Sequence, residues 1–274
     1  MDIEKSNEPD AYLAFEREGW AAVMAGYKDG FASVTQQTIA PLLDAANVQA
    51  GMRVADICCG PGLLAAAAVA RGASAIGIDF PGVVAFARSV VPEAEFRAGD
   101  ATDLPFADSS FDAILCGYGI LHVPDPEKTL QEMLRVLKPG GRAAVSVWDS
   151  ETPNNGLGLI FRGVHDHGSL NVTLPHGPNL FQFSTPDKLR AALTGTGFAS
   201  VEVSLVPQNW PLESGKALID AAITGTVRAR TILAAQTPEA IDNIAAFIDK
   251  AVPDERGGGI KVPMPALVGS GVKP

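Results

Sequence analysis

The chain has few cysteines and fewer positively than negatively charged residues. Its 274 residues include 3 cysteines, of which Cys58 and Cys59 are adjacent, and no C-x₂-C pair that would indicate a zinc site. This usage is typical of a reducing compartment rather than of a disulfide framework. Lys and Arg number 21 against 31 Asp and Glu, which gives a net charge of −10. Because proteins hold nucleic acid through clustered Lys and Arg, we expect no nucleic-acid partner.

Long apolar runs are also missing from the sequence. No stretch approaches the roughly 18 consecutive apolar residues of a membrane span. The first residues, Met1 to Lys5, show no basic segment followed by an apolar one. We therefore expect a cytoplasmic protein without a membrane span or signal peptide. Apolar residues still make up 47% of the chain, which predicts one large α/β domain with room for a helical insertion.

Strand and helix patterns alternate from Met52 onward. The predicted strands are 53–58, 74–79, 94–99, 111–116 and 142–148, and the predicted helices between them are 62–71, 82–90 and 126–137. The last helix has Asp125 as its cap, Pro126 at its first position and apolar residues at helical spacing. Alternation of this kind predicts a mostly parallel sheet with helices on both faces.

The two flanks are less regular. Before the first strand, helices are predicted at 11–24 and 31–46, with Pro41 breaking or restarting the second. Residues 150–184 are rich in Gly, Asn, His and Pro, and predict an irregular excursion over the carboxyl edge of the sheet. The remaining predictions are a helix from 186 to about 193, a strand at 199–206, two helical stretches within 214–251 and a final strand at about 260–270.

A glycine turn after the first strand is the most informative local feature. Residues 54–62, Val-Ala-Asp-Ile-Cys-Cys-Gly-Pro-Gly, run from an apolar strand into a turn, and a helix-forming run begins at Leu63. Glycines let the backbone approach a ligand, and the new helix presents unpaired N–H groups there. The second strand ends on Asp79, where an acid can hold a ribose diol. This is the outline of a nucleoside-cofactor site on a doubly wound sheet.

The glycine turn does not by itself name the cofactor. Residues 60–65, Gly-Pro-Gly-Leu-Leu-Ala, also satisfy the dinucleotide pattern G-x-G-x-x-A, so NAD is an alternative at this point. The remaining motifs of the chain decide between the two.

Five blocks in order carry a resemblance to a known family. They are residues 54–62, residues 77–79, Gly99-Asp100-Ala101 with Leu104-Pro105-Phe106, Leu121 to Pro126, and Leu137-Lys138-Pro139-Gly140-Gly141. With these blocks the chain resembles the class I S-adenosylmethionine-dependent methyltransferases, and within them the small-molecule group similar to ubiquinone/menaquinone C-methyltransferases. The resemblance covers roughly residues 50–150. It implies a Rossmann-like, seven-stranded, mostly parallel sheet and S-adenosylmethionine as cofactor.

The same blocks argue against NAD. A dehydrogenase needs no second acid after its third strand, whereas Asp100 is placed there to accept from an adenine amino group. About fifty residues of predicted helix also precede the first strand, which is unusual for a dehydrogenase. We therefore divide the chain into an N-terminal helical lid (1–50), an S-adenosylmethionine-binding core (51–150) and a remainder of the same domain with substrate-lid insertions (151–274).

The resemblance implies roles around the methionine end of the cofactor. Asp56 and Gly60 would lie beside the methionine moiety, and Gly60 and Gly62 would offer close backbone. The family usually has Gly or Ala where this chain has Cys58, and a thiol there would narrow the pocket. Cys116 would line the switch point of the sheet, where the methyl group is presented.

The resemblance also implies contacts along the rest of the cofactor. Gly117 would join Cys116 at the switch point. Asp79 would bind both ribose hydroxyls and Phe80 would pack beside the adenine. Asp100 and Ala101 would contact the adenine edge. From the predicted lid helices, we expect Tyr27 and Phe31 to cover the cofactor.

A general base is needed only if the methyl acceptor must lose a proton. His122 directly follows the fourth strand and is our candidate for that base. The alternative, equally open, is that His122 begins a helix and bonds local backbone. His165-Asp166-His167 has weak metal-ligand spacing in a predicted loop, so we expect no metal.

The sequence thus predicts a methyltransferase acting on a small, largely apolar metabolite. The alternative is a protein of the same fold that binds S-adenosylmethionine without transferring its methyl group, either as a binding protein or as a cyclase. We expect a small-molecule acceptor as the partner, with a homodimer left open.

Overall fold

The computed structural model describes residues 8–253 and 258–274. The predicted lid residues before Glu8 lie outside the described residues. The strands are β1 (Arg53–Ile57), β2 (Ser74–Asp79), β3 (Glu95–Ala98), β4 (Phe111–Gly117), β5 (Leu137–Trp148), β6 (Ala199–Val206), β7 (Asn209–Leu212), β8 (Ile260–Pro263) and β9 (Ala266–Val272). The helices are α1 (Glu8–Gly26), α2 (Ala32–Thr35), α3 (Ile39–Ala45), α4 (Leu63–Ala70), α5 (Pro81–Val90), α6 (Pro126–Val136), α7 (Gly156–His167), α8 (Pro186–Thr196), α9 (Gly215–Gly225), α10 (Arg228–Ala234) and α11 (Pro238–Ala251).

Seven of the strands form one sheet in the order β3-β2-β1-β4-β5-β9-β6. The pairs from β3 through β5 are parallel, and β9 runs antiparallel to both of its neighbours. This confirms the predicted α/β fold with a mostly parallel sheet. Because β1 pairs with both β2 and β4, the strand order reverses at β1, and ligands bind at such a switch point.

The central strands are apolar on both sides because helices cover both faces of the sheet. Consecutive residues of β4 alternate between two cores: Ala113 and Leu115 pack on the face that carries α3, α4 and α5, whereas Ile114 packs on the other. All three side chains are fully buried. Because both faces of these strands are buried, the strands occur in the sequence as continuous apolar runs, which allowed their prediction.

The N-terminal segment is one nearly continuous helical path. α1 passes through a π-helical turn (Tyr27–Phe31) into α2, and a 3₁₀ turn (Gln36–Thr38) leads to α3. The stretch between the two predicted helices is therefore helical as well. Pro41 lies in the first turn of α3, where its missing N–H costs no intrahelical hydrogen bond, so the helix restarts there.

Residues 150–184 are not wholly irregular as predicted, since they contain α7. Asn155 caps this helix by accepting a hydrogen bond from the Gly158 N–H at 2.8 Å. Leu157, Ile160 and Val164 then bury one face, mainly against α11. The high glycine content of the segment hid this apolar spacing.

Two further predictions were wrong at the C-terminal end. Residues 215–251 form three helices, α9, α10 and α11, rather than two. The predicted final strand divides into β8, which pairs with β7 in a separate two-stranded sheet, and β9, which enters the main sheet. β5 also begins earlier than predicted, at Leu137, because Leu137 pairs with Phe111 before a register shift.

Among the described residues, no helix is long and apolar enough to cross a bilayer.

Candidate active site

The turn after β1 uses a backbone conformation that favours glycine. Gly60 and Gly62 have φ of 53° and 84°, in the left-handed region. A Cβ on Gly62 would lie 2.5 Å from Cζ of Phe96, so a side chain there is also excluded sterically. Around Gly60 the space is open, and its backbone lines a cavity that a ligand can enter.

Asp79, at the end of β2, is held across this turn. Its Oδ2 accepts a hydrogen bond from the Gly60 N–H at 2.9 Å, and its Oδ1 accepts one from the Phe80 N–H at 2.7 Å. Burial raises the pKa of Asp79 to about 6, against the effect of these two hydrogen bonds. Each oxygen retains acceptor capacity, so the carboxylate can bind two hydroxyl groups of a ligand.

Asp56 lies deeper in the same region and is 1% exposed. Its Oδ2 accepts a hydrogen bond from the Ala65 N–H at 3.1 Å. Burial, and then the negative charge of Asp79, raise the pKa of Asp56 to about 8. The carboxyl group is therefore mostly neutral at pH 7 in the free protein, and a cation bound beside it would favour ionisation.

A cavity of about 1260 Å³, including its opening to solvent, lies over the carboxyl ends of the strands. It brings together most of the predicted site residues: Tyr27, Phe31, Cys58, Gly60, Asp79, Phe80, Asp100, Ala101, Gly117 and His122. A smaller cavity of about 410 Å³ adjoins it, sharing Tyr27 and Cys58 and adding Asp56. Gly62 and Cys116 line neither cavity, since Gly62 packs against Phe96 and Cys116 is fully buried.

The end of the cavity near β3 is formed by a tight turn. Oδ1 of Asp100 accepts hydrogen bonds from both the N–H and the hydroxyl of Thr102, each at 2.8 Å. The neighbouring Ala101 is 8% exposed. The turn thus fixes an exposed carboxylate beside a small apolar residue, an arrangement that can accept from an amino group and pack against an aromatic ring.

The thiols of Cys58 and Cys59 line the cavity. The neighbouring Cys116 thiol, and then burial, raise the pKa of Cys58 well above its ordinary value. A Cβ on Gly119 would lie 2.2 Å from the Cβ of Cys58, so any residue with a side chain at position 58 requires glycine at 119. These thiols are suited to packing rather than to nucleophilic chemistry.

Aromatic side chains of the N-terminal helical segment line one side of the cavity. Tyr27 and Phe31 stack with ring centroids 6.2 Å apart, and Trp20 meets Tyr27 edge-on at 5.7 Å. Phe31 also contacts Trp148 edge-on at 6.0 Å. The cavity is therefore lined both by the carboxylate of Asp79 and by this aromatic cluster, and such a cluster suits a planar apolar molecule.

His122 follows a 3₁₀ turn (Gly119–Leu121) and lines the main cavity. Its Nδ1 lies 3.1 Å from Oε2 of Glu16, and its ring meets Trp20 edge-on at 4.8 Å. The imidazole therefore bonds a carboxylate of α1 rather than local backbone. Sequence reasoning missed Glu16 and its second partner, Arg228, because both are distant from His122 along the chain.

The other candidate histidines are placed elsewhere. His165 and His167 lie on α7, not in a loop, and both are exposed. Nδ1 of His165 bonds its neighbour Asp166 at 2.7 Å. Across residues 8–253 and 258–274, no three His, Cys, Asp or Glu side chains are grouped so that they could hold a metal ion.

Comparisons with known proteins agree with this geometry. A sequence profile described as "Methyltransferase domain" matches residues 55–145. The chain is 35% identical over 185 residues to a demethylmenaquinone methyltransferase of Clavibacter sepedonicus, covering 61% of this chain and 71% of that protein. The chain belongs to the class I S-adenosylmethionine-dependent methyltransferase family. It is also 33% identical over 189 residues to a 2-phytyl-1,4-naphtoquinone methyltransferase of Thermosynechococcus vestitus, covering 63% of this chain and 80% of that protein.

Other matches concern only part of the molecule or only the fold. The chain spans less than half of the demethylmenaquinone methyltransferases of Paenarthrobacter aurescens and Renibacterium salmoninarum, 42% and 47% of their lengths. The crystal structure of the YcgJ protein from Bacillus subtilis superposes with a TM-score of 0.58 at 22% identity, covering 86% of this chain and 97% of that one. This likeness concerns the fold. Members of this methyltransferase family use S-adenosylmethionine, which is therefore the cofactor of the chain. The open space at the Gly60 backbone and the two acceptor oxygens of Asp79 fit this cofactor.

Proposed function

We propose that this family member transfers a methyl group from S-adenosylmethionine to a small, largely apolar hydroxyaryl acceptor of the quinol type. The observation that carries the proposal is one cavity lined by the carboxylate of Asp79 and by the aromatic side chains of Trp20, Tyr27 and Phe31. The two relatives named for naphthoquinone-type substrates support the acceptor class.

Several residues would hold the cofactor in this proposal. Asp79 binds the ribose hydroxyls, Asp100 accepts from the adenine amino group, and Asp56 lies toward the methionine end. When bound, S-adenosylmethionine supplies a methyl group that is already activated by its sulfonium. The contribution of the chain is then to align the acceptor and to exclude water.

The acceptor would lie against the aromatic cluster. The neutral thiol of Cys58 gives the cavity an apolar surface without a competing nucleophile. A hydroxyaryl acceptor becomes a better nucleophile when it loses its proton, and His122 is the titratable side chain that we assign to take it.

The proposal extends to the working environment of the protein. We propose that it acts in the cytoplasm on a small molecule and without nucleic acid. The net charge of −10 and the three free cysteines support this view, since an acidic protein repels phosphate backbones and thiols persist in reducing compartments.

The test is incubation of the protein with methyl-labelled S-adenosylmethionine and a panel of reduced naphthoquinols and simpler phenols. We expect label in the aromatic product and one S-adenosylhomocysteine for each methyl transferred. Asp79→Ala serves as the control that should lose transfer at low cofactor concentration. Tight cofactor binding without transfer to any panel member would favour a non-methylating protein of the same fold.

A further inference from the structure

A buried carboxylate of α1 lies against the candidate base. Glu16, on α1, has a fully buried side chain. Three groups surround it: Nε of Arg228 donates to Oε1 at 2.9 Å, Nε1 of Trp20 donates to Oε2 at 3.0 Å, and Nδ1 of His122 lies 3.1 Å from Oε2. The carboxylate thus joins three segments that are far apart in the sequence.

The hydrogen-bonding capacity of these groups fixes the direction of the contact with His122. A guanidinium and an indole N–H are donors only, so both require Glu16 to accept. Glu16 is ion-paired with Arg228, and a carboxylate only accepts hydrogen bonds. Nδ1 of His122 must therefore carry the proton of this hydrogen bond. In a neutral imidazole the other nitrogen, Nε2, is then an acceptor.

We propose that Glu16 is a positioning residue, which holds His122 with its proton on Nδ1 and leaves Nε2 free to accept the proton of an acceptor hydroxyl. This inference rests on the proposed function and deepens it, because it names a hydroxyl as the acceptor group. His122 lines the main cavity, and 22% of its side chain is exposed. Glu16 itself is out of reach of a ligand and acts through the ring.

Arg228 keeps this buried carboxylate from being an isolated charge. Besides Glu16, it donates to the carbonyl oxygens of Pro178 at 2.9 Å and Leu121 at 3.4 Å, and to the hydroxyl of Tyr12. Burial lowers the pKa of Arg228 to about 10, so the guanidinium remains charged near neutral pH. The bond to Leu121 also ties Arg228 to the turn that presents His122.

The surrounding charges are consistent with a base at this place. Glu16 and Arg228 compensate each other, and Asp79 is the further acid whose charge interacts with His122.

The proton that leaves the acceptor hydroxyl goes to Nε2. The electron pair of the broken O–H bond remains on that oxygen, which would form the new bond to the methyl carbon while the pair of the broken carbon–sulfur bond would go to sulfur. His122 then releases its proton to solvent.

The first experiment measures the His122 tautomer directly in the cofactor-free protein. ¹⁵N spectra of the ring nitrogens should show the proton on Nδ1 in the wild type. In Glu16→Gln an amide N–H can donate to Nδ1, so the proton should move to Nε2. Glu18→Gln, an exposed acid on the same helix, should leave the spectrum unchanged. A wild-type ring protonated on Nε2 would overturn the proposal even if the Gln variant did not fold.

The second experiment separates positioning from a merely structural role. With a phenolic acceptor, Glu16→Gln should lower kcat about 10²-fold while KM and the Kd for S-adenosylhomocysteine stay within about twofold. With a nitro-substituted phenol that is already ionised at the assay pH, the variant should retain kcat within about threefold. Equal losses with both acceptors would mean that Glu16 only supports the fold, and an unchanged kcat with the phenol would equally overturn the proposal.

Failure of the proposed function has a different signature. If the wild type transfers no methyl group to any hydroxyaryl acceptor, the proposed function is wrong. The ring spectra of the wild type and Glu16→Gln then still decide whether Glu16 sets the tautomer of His122.

Discussion

Replacing Asp56 by Asn should stabilise the cofactor-free protein while weakening its cofactor binding. Asp56 is 1% exposed, and its pKa is raised from 3.8 to about 8. Between these two pH values the folded protein holds a proton on Asp56 that the unfolded chain has lost. The folded state therefore binds more protons, and its stability falls as pH rises through this window.

The size of the effect follows from the same pKa. The ordinary pKa of an aspartate lies about three pH units below neutrality. Each pH unit in this window lowers the free energy of unfolding by about 1.4 kcal/mol, so the cost of Asp56 at neutral pH has an upper limit of about 4 kcal/mol. The protein relaxes around a buried group, so we expect Asp56→Asn to gain about 2 kcal/mol at about pH 7 and less than about 1 kcal/mol at about pH 5. The amide oxygen of Asn can still accept from the Ala65 N–H.

Urea unfolding of the cofactor-free protein at both pH values measures this gain. Asp242→Asn, at an exposed position on α11, is the matched control and should change stability little at either pH. The weaker cofactor binding of Asp56→Asn is measured by calorimetric titration with S-adenosylmethionine. Binding of this cation should release protons in the wild type near neutral pH and markedly fewer in Asp56→Asn, where only Asp79, with its pKa of about 6, contributes. A destabilised Asn variant, or a gain that does not depend on pH, would refute the assigned protonation state of Asp56.

Three further predictions concern the same cavity. Asp79→Ala should raise the Kd for S-adenosylhomocysteine by about tenfold to hundredfold, because two hydroxyl donors lose a charged acceptor; an unchanged Kd in calorimetry would mean that another acid binds the ribose. Amide hydrogen exchange in residues 10–40 should slow when S-adenosylhomocysteine binds, and equal exchange in both states would make these helices plain scaffold. His122→Ala should lower turnover of a phenolic acceptor by about 10²-fold to 10⁴-fold with cofactor affinity nearly unchanged, and full activity with the same pH–rate profile would make His122 structural.

The parallel core could be predicted because its signals are local. β1, β2 and β4 are short apolar runs bounded by glycine or acidic residues, and burial on both faces makes such runs continuous. The turn from Cys58 to Gly62 was readable for the same reason, since its positive φ angles restrict the residue types there.

The flanks were less predictable because long-range packing decides them. α7 forms in a segment whose glycines argue against a helix, and its apolar face is buried against α11. The division of the last strand into β8 and β9 depends on the partner β7, which the local pattern does not contain.

The part of the site that escaped sequence reasoning is the ion pair between Glu16 of α1 and Arg228 of α10. Glu16 and Arg228 are 212 positions apart, and neither belongs to a motif with recognisable spacing. A glutamate on an amphipathic helix is ordinarily solvated, and only the fold reveals that this one is buried beside His122.

The most direct test of the proposed function is stoichiometric transfer of a labelled methyl group. The protein would be given methyl-labelled S-adenosylmethionine with a reduced naphthoquinol, and product and S-adenosylhomocysteine would be quantified together. We predict one labelled aromatic product for each S-adenosylhomocysteine, with transfer lost in Asp79→Ala at limiting cofactor. Saturable cofactor binding at Asp79 with no labelled product from any hydroxyaryl acceptor would contradict the proposed methyl transfer.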